Sequence, residues 1–202
     1  MMKKSLLLAT NNPNKVVEVK RMLGERIEVV TPSSYPDISE PVEDGSTFLE
    51  NAKLKAEHYA LRTGMPALAD DSGLVIDSLG GAPGIYSARY AETPQARIDR
   101  VLKEMSTITN PALRSARFVC AMALVIPSKT DSQAASCIAV VGTVEGQIID
   151  TMRGNSGFGY DPIFYLPSFN KTMAELSMEE KNAISHRGKA LATMQLLMYS
   201  AI

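Results

Sequence analysis

Two acids stand side by side in Ala69-Asp70-Asp71-Ser72-Gly73. Met65 to Asp70 reads as a short buried strand ending in acids, so the sequence places them at a strand end beside a glycine. Carboxylates at such a position are costly without a partner. Magnesium is the usual reason to put them there, because it takes one or two carboxylates and completes its shell with water and phosphate oxygens. A solvated turn in which Asp and Ser cap their own backbone uses the same residue types. Ser72 lacks the G-x-S-x-G elbow, so a serine hydrolase is not indicated.

Thr10-Asn11-Asn12-Pro13-Asn14-Lys15 follows a strand-like run and opens a helix. That placement presents backbone N–H groups and the positive end of a helix dipole to an anion. The hydroxyl, the short amides and Lys15 add donors and charge, which makes the loop a phosphate cradle in the physical sense. An ordinary capped turn would look the same, and no Walker A pattern occurs. In Gly80-Gly81-Ala82-Pro83-Gly84-Ile85-Tyr86-Ser87-Ala88-Arg89-Tyr90 the glycines permit close backbone approach, and Arg89 is suited to a bidentate anion contact. In Gly157-Phe158-Gly159-Tyr160-Asp161-Pro162, Phe158 or Tyr160 can stack on a flat ring and Asp161 can hydrogen-bond it; such loops also serve as packing corners. Lys181, His186 and Arg187 bring three donors into one segment, suited to a phosphate or the carbonyl edge of a base, or to offsetting a helix dipole. Together these features describe a magnesium–nucleotide site.

The elements that must hold them follow from pattern. Ser5 to Ala9 and Ile27 to Val30 read as strands, with a helix from Lys15 to Leu23 stopped by Gly24. Thr31 to Gly45 is a loop. A longer helix runs from about Ser46 to Thr63, with Thr47 and Glu50 as a capping box and Gly64 as its end. Phe48, Ala52 and Tyr59 share its buried face. Lys55 lies within about 20° of Phe48 on the wheel, so it points inward and needs a partner. Thr93-Pro94 opens a helix with Ile98, Val101, Leu102 and Met105 facing the core. Arg117 to Ile126 and Ala135 to Val144 read as long antiparallel strands, and Ser177 to Tyr199 as a helix in two pieces around Ser185-His186-Arg187. The class is α/β around a mixed sheet.

Composition sets the outer bounds. The 202 residues carry a net charge of −1, with 45% hydrophobic and 21% charged residues, a globular balance. This excludes a nucleic-acid coat, so a polyanion must be held by a few placed cations. Cys120 and Cys137 lie in apolar strand-like runs and read as two buried, reduced thiols of a cytoplasmic protein. The longest apolar run, Phe118 to Ile126, is far below the roughly 20 residues that span a bilayer, so no membrane partner is expected. The stretch after Lys3-Lys4 is too short for a signal peptide.

From Leu6 to Leu197 the chain resembles the inosine triphosphate pyrophosphatases, also called XTP/dITP diphosphatases. The resemblance is carried by Ala9 to Lys15, Thr47-Phe48 to Asn51-Ala52, Ala69 to Tyr90, Gly157 to Phe164 and Ser185-His186-Arg187; the Asp70 to Tyr90 run is the most specific. It implies a single domain over residues 1–202 with an elongated mixed sheet flanked by helices, and two lobes with a substrate cleft between them. It also implies a Mg²⁺-dependent cytoplasmic homodimer that converts ITP, dITP and XTP to the monophosphate and pyrophosphate, clearing damaged purines. By that resemblance, Asp71 is the general base and a metal ligand and Glu43 a second metal ligand. Thr10, Asn11, Asn12, Pro13, Asn14, Lys15 and Lys55 serve the triphosphate, and Ser72 touches the substrate. Phe158, Gly159, Tyr160, Asp161, Lys181, His186 and Arg187 hold base and sugar-phosphate. Two other readings use the same features: a pyrophosphatase for a different modified nucleotide, and a non-catalytic nucleotide sensor. A substrate panel separates the first; the acid pair, which a sensor does not need, argues against the second.

Overall fold

The structure, a computed structural model, describes residues 4–128 and 135–198. Among these residues seven strands form one mixed sheet in the order β2-β1-β3-β4-β5-β6-β7: β1 Lys4–Leu8, β2 Ile27–Val30, β3 Ala67–Ile76, β4 Ser115–Ile126, β5 Ser136–Ile148, β6 Phe164–Leu166 and β7 Lys171–Thr172. The helices are α1 Pro13–Leu23, α2 Phe48–Thr63, α3 Pro94–Glu104, α4 Met178–Ile184 and α5 His186–Met198. The chain divides into two compact units. One comprises Met1–Asp71, Cys120–Gly142 and Lys189–Ile202; the other comprises Ser72–Val119 and Thr143–Gly188.

The first unit is built from parallel crossovers. β1 pairs in parallel with β2 (Lys4↔Ile27 to Leu7↔Val30) and with β3 (Leu7↔Ala67, Leu8↔Leu68), the connections carrying α1 and α2. Successive strand side chains point to opposite faces, and both faces here are covered. Leu6, Leu8, Leu68, Cys120, Met122 and Leu124 pack with Val19 and Leu23 of α1 and with Leu191 and Met194 of α5. Leu7, Ala9, Ala67, Ala69, Ala121 and Val125 pack with Ala52, Ala56, Tyr59 and Ala60 of α2. Alanines on both sides of that second layer let α2 lie close to the sheet.

The helix ends follow the expected chemistry. Asn12 caps α1 and Pro13 takes its first position, where a missing N–H costs nothing; Gly24, at φ 66°, ends it. Thr47 Oγ1 accepts the Glu50 N–H at 3.1 Å, and the Glu50 carboxylate accepts the N–H and hydroxyl of Ser46, each at 2.7 Å.

In the second unit α3 buries Ile98 and Val101, which with Met105 meet Leu74, Ile76, Phe118, Ile148, Phe164 and Leu176 in one core. Antiparallel pairing joins β5 to β6 (Gln147↔Tyr165, Ile148↔Phe164) and β6 to β7.

Three expectations are corrected. β3 does not end at the acids; it runs on through Ser72 and Gly73 to Ile76, so Asp70 and Asp71 lie mid-strand. β5 runs past Val144 to Ile148, because Glu145-Gly146-Gln147 continues into the pairing with β6. Cys120 is buried but Cys137 is exposed on β5, where alternate residues face outward; neither is in a disulfide. Tyr199, the expected helix end, lies outside the described residues.

Candidate active site

Strand alternation separates the two acids. Asp70 follows Leu68 onto the face covered by α1 and α5, and Asp71 follows Ala67 and Ala69 onto the face covered by α2. Each meets its own lysine. Lys15 Nζ, at the first turn of α1, stands 2.9 Å from Asp70 Oδ2, whose side chain is 1% exposed. Lys55 Nζ, on the buried stripe of α2, stands 3.8 Å from Asp71 Oδ1 and 3.2 Å from Glu43 Oε2 in the preceding loop.

Asn51, one turn before Lys55 and fully buried, donates through Nδ2 to Asp71 Oδ2 at 3.1 Å and accepts the Gly45 N–H on Oδ1 at 2.8 Å. Burial pushes the Asp71 carboxyl above its ordinary range and Glu43 adds to this, while Lys55, Lys15 and the Asn51 hydrogen bond pull the other way. Asp71 is therefore a carboxylate with enhanced basicity, flanked by an ammonium that favours its charged form.

The residues also fit a hard divalent cation. Asp71 and Glu43 present carboxylate oxygens to one Lys55 ammonium, so a cation position near both already exists in this unit. Among the described residues no group of three or more His, Cys, Asp and Glu could form an all-protein cage. That donor set suits Mg²⁺, which keeps several waters and takes phosphate oxygens alongside one or two carboxylates.

The Thr10–Lys15 loop is more closed than its sequence suggests. The Asn12 side chain accepts the N–H groups of Asn14 and Lys15 at 3.0 and 3.4 Å, and Thr10 Oγ1 accepts the Asn12 N–H at 3.2 Å. Pro13 has no N–H to offer, and Asn11 donates to Glu40. The helix dipole remains, but two of the cradle's backbone donors are held by Asn12.

In the second unit Ser72 Oγ accepts from Arg187, at the start of α5, at 2.8 Å. Arg187 is 2% exposed and its guanidinium carbon lies 5.6 Å from the Phe158 ring centroid; Lys181 Nζ lies 4.7 Å from the same centroid. Asp161 accepts from Lys181 at 2.6 Å and from the Phe158 N–H at 2.8 Å, in a buried ion pair that fixes the loop. Gly157, at φ 77°, must be glycine: a Cβ there would stand 2.1 Å from Asp161 Oδ2. Gly159 has open space in the same direction. His186 stacks on Phe118 with centroids 4.8 Å apart and planes 18° apart.

Tyr160 takes a different part from the one expected. It lies in the core and donates to Ser87 O at 2.9 Å, and burial pushes its phenol up to about 12. Only Phe158, half-buried, remains as a stacking ring on that loop. The Gly80–Tyr90 run serves as a connection. Ser87 Oγ accepts the Leu74 N–H at 2.9 Å and donates to Gly84 O at 2.6 Å, while Arg89 is exposed.

Sequence reasoning missed Asn51 and the Lys15–Asp70 pair. Asn51 precedes Lys55 by four residues, so the wheel that turned Lys55 inward places Asn51 on the same stripe. The Lys15–Asp70 pair needed the knowledge that β3 continues.

A model of the Ham1 family matches residues 6–196. A dITP/XTP pyrophosphatase of Halalkalibacterium halodurans is 50% identical over 192 residues, covering 93% of this chain and 95% of that protein. One of Geobacillus kaustophilus is 46% identical, covering 95% and 92%. The solved HAM1 protein of Coxiella burnetii superposes with a TM-score of 0.86 at 42% identity, covering 98% of this chain and all of that one.

Proposed function

Since this chain belongs to the Ham1 family, we propose that it hydrolyses ITP, dITP and XTP to the nucleoside monophosphate and pyrophosphate, and so removes damaged purines from the nucleotide pool. The observation that carries the chemistry is the cluster of Asp71, Lys55, Glu43 and Asn51: a buried, basicity-enhanced carboxylate beside a cation and a second carboxylate.

Water attacks a phosphoryl centre of the α–β linkage, and the linkage breaks as pyrophosphate leaves. Such transfers rest on positioning and charge neutralisation. Asp71 orients the water and accepts its proton. Lys55 and Lys15 offset phosphate charge, Lys15 from its place beside Asp70 at the first turn of α1. Thr10, Asn11, Asn12 and Asn14 add polar contacts around the helix end. Asp71 and Glu43 would hold Mg²⁺, which supplies further charge neutralisation at the phosphates.

Base choice has its own logic. Hypoxanthine and xanthine present a carbonyl at C6, where adenine presents an amino donor. Arg187 and His186 offer donors, and Phe158 offers a ring face, braced by Lys181 and Asp161. Donors satisfied by the carbonyl stay unpaired against adenine's amine, a mismatch that a buried site rejects strongly. Guanine shares the carbonyl, so its exclusion rests on the 2-amino group and pocket shape.

The reading extends to a homodimer in the cytoplasm, where thiols such as Cys120 and Cys137 stay reduced; sedimentation tests the dimer. Pyrophosphate release from ITP, dITP, XTP, ATP and GTP, with Mg²⁺ and with a chelator, tests the function. Fast release from the first three, slow release from ATP and loss with chelator are expected. Equal rates on ATP and ITP would refute the substrate class.

A further inference from the structure

Asn51 sits where two polar demands meet, and only a carboxamide satisfies both. The Gly45 N–H is a donor, so the atom facing it at 2.8 Å must be the Asn51 oxygen. That fixes the amide orientation and turns its NH₂ toward Asp71 Oδ2 at 3.1 Å. A carboxylate at position 51 would accept from Gly45 equally well but would set a second negative charge against Asp71. A hydroxyl is too short to span both partners.

The loop side of the contact is shaped for this. A Cβ on residue 45 would fall 2.7 Å from Asn51 Oδ1, 2.8 Å from Glu50 Cβ and 3.0 Å from the Asn51 nitrogen. Glycine is thus required for the loop to approach the helix closely enough to bond. Gly45 lies two residues after Glu43, whose carboxylate shares Lys55 with Asp71. One fully buried side chain on α2 therefore ties together the strand that carries Asp71 and the loop that carries Glu43.

We infer that Asn51 is a positioning residue for the pyrophosphatase reaction, a clamp that sets the Asp71 carboxylate and, through Gly45, the Glu43 loop in their working geometry. The inference rests on the proposed function for its chemistry. A misplacement of about 1 Å in such a constellation costs on the order of 10²-fold in turnover.

The test compares Asn51→Asp, Asn51→Ala and Gly45→Ala with the wild-type protein. kcat and KM for ITP are measured with Mg²⁺, kcat is normalised to the folded fraction, and amide hydrogen exchange at Gly45 is followed without nucleotide. Asn51→Asp should keep the Gly45 amide protected and lower kcat about 10²-fold with KM little changed. Asn51→Ala should lower kcat and speed Gly45 exchange. Gly45→Ala should lower kcat, and combining it with Asn51→Ala should cost less than the sum of the two single effects, because both remove the Asn51–Gly45 contact. A wild-type protein that releases no pyrophosphate from ITP or XTP overturns the reading of the reaction. An active wild type, with Asn51→Asp at wild-type kcat per folded molecule, overturns the positioning role alone.

Discussion

Replacing Asp71 by Asn removes a charge that burial opposes and leaves the size of the side chain unchanged. Turnover on ITP should fall on the order of 10²-fold or more, the usual scale for losing a general base, while melting temperature stays near that of the wild type. Near-normal pyrophosphate release by the variant would remove Asp71 from the mechanism. Lys15 makes a different case. Its ammonium faces an Asp70 carboxylate that is 1% exposed, so Lys15→Met strips compensation from a buried charge. Stability should fall by about 3 kcal/mol, the scale of breaking a buried pair, and phosphate handling should fail with it. Adding Asp70→Asn should restore the melting temperature and leave the activity impaired, and urea unfolding with ITP kinetics on both variants separates the two effects. A double variant that regains activity as well would make Lys15 a structural partner of Asp70 and nothing more. At this scale the sequence exposed Lys55, because its neighbours on the wheel are apolar. It concealed the division of the acids, because the next two residues, Ser72 and Gly73, look like a turn and only the pairing of a longer β3 makes alternation decide.

Elements whose ends carry their own chemistry were legible. Asn12-Pro13, Thr47 with Glu50, Gly64 and Thr93-Pro94 each mark a helix boundary by satisfying or removing an orphan backbone group. Elements that exist through pairing alone were not: β6 and β7 are three and two residues long and have no local periodicity to read. The Thr172 to Glu175 turn that follows β7 is a capping box, and it has a pH signature. The Glu175 carboxylate accepts from Arg153 at 2.8 Å and from the Thr172 N–H at 2.6 Å. Arg153 beside it, with that backbone hydrogen bond, holds its carboxyl below the ordinary 4.5. A carboxyl lowered on folding stabilises the native state above its unfolded value, and that contribution is lost as pH falls through the folded value. Glu175→Gln should therefore melt below the wild type at pH 7, and the gap should narrow as pH falls below 4.5 through the lowered folded value. Thermal melts of both proteins across that range check it; a gap that does not change with pH would mean that Glu175 acts through packing.

For the whole molecule, the mixed class could be read from the sequence because helical and alternating stretches interleave along the chain. The near-neutral charge said only that cations must be placed singly, and the structure places Lys15 and Lys55 in one unit and Lys181 and Arg187 in the other. On the proposed function, base choice draws on Arg187, His186 and Phe158 of the second unit, and Arg187 tests it. Its guanidinium is held by Ser72 at 2.8 Å and lies beside Phe158, so its donor geometry is fixed before any base arrives. Removing it by Arg187→Ala also empties buried volume, and some of the variant will not be folded. The ratio of kcat/KM for ITP to kcat/KM for ATP is insensitive to that loss, since an unfolded fraction lowers both values alike. If Arg187 reads the C6 carbonyl, the ratio should drop by 10-fold or more, on the order of one lost hydrogen bond to a charged group. If the ratio holds while both values fall together, Arg187 binds the part of the substrate that ITP and ATP share, and the discrimination passes to His186 and the backbone of the Phe158 loop.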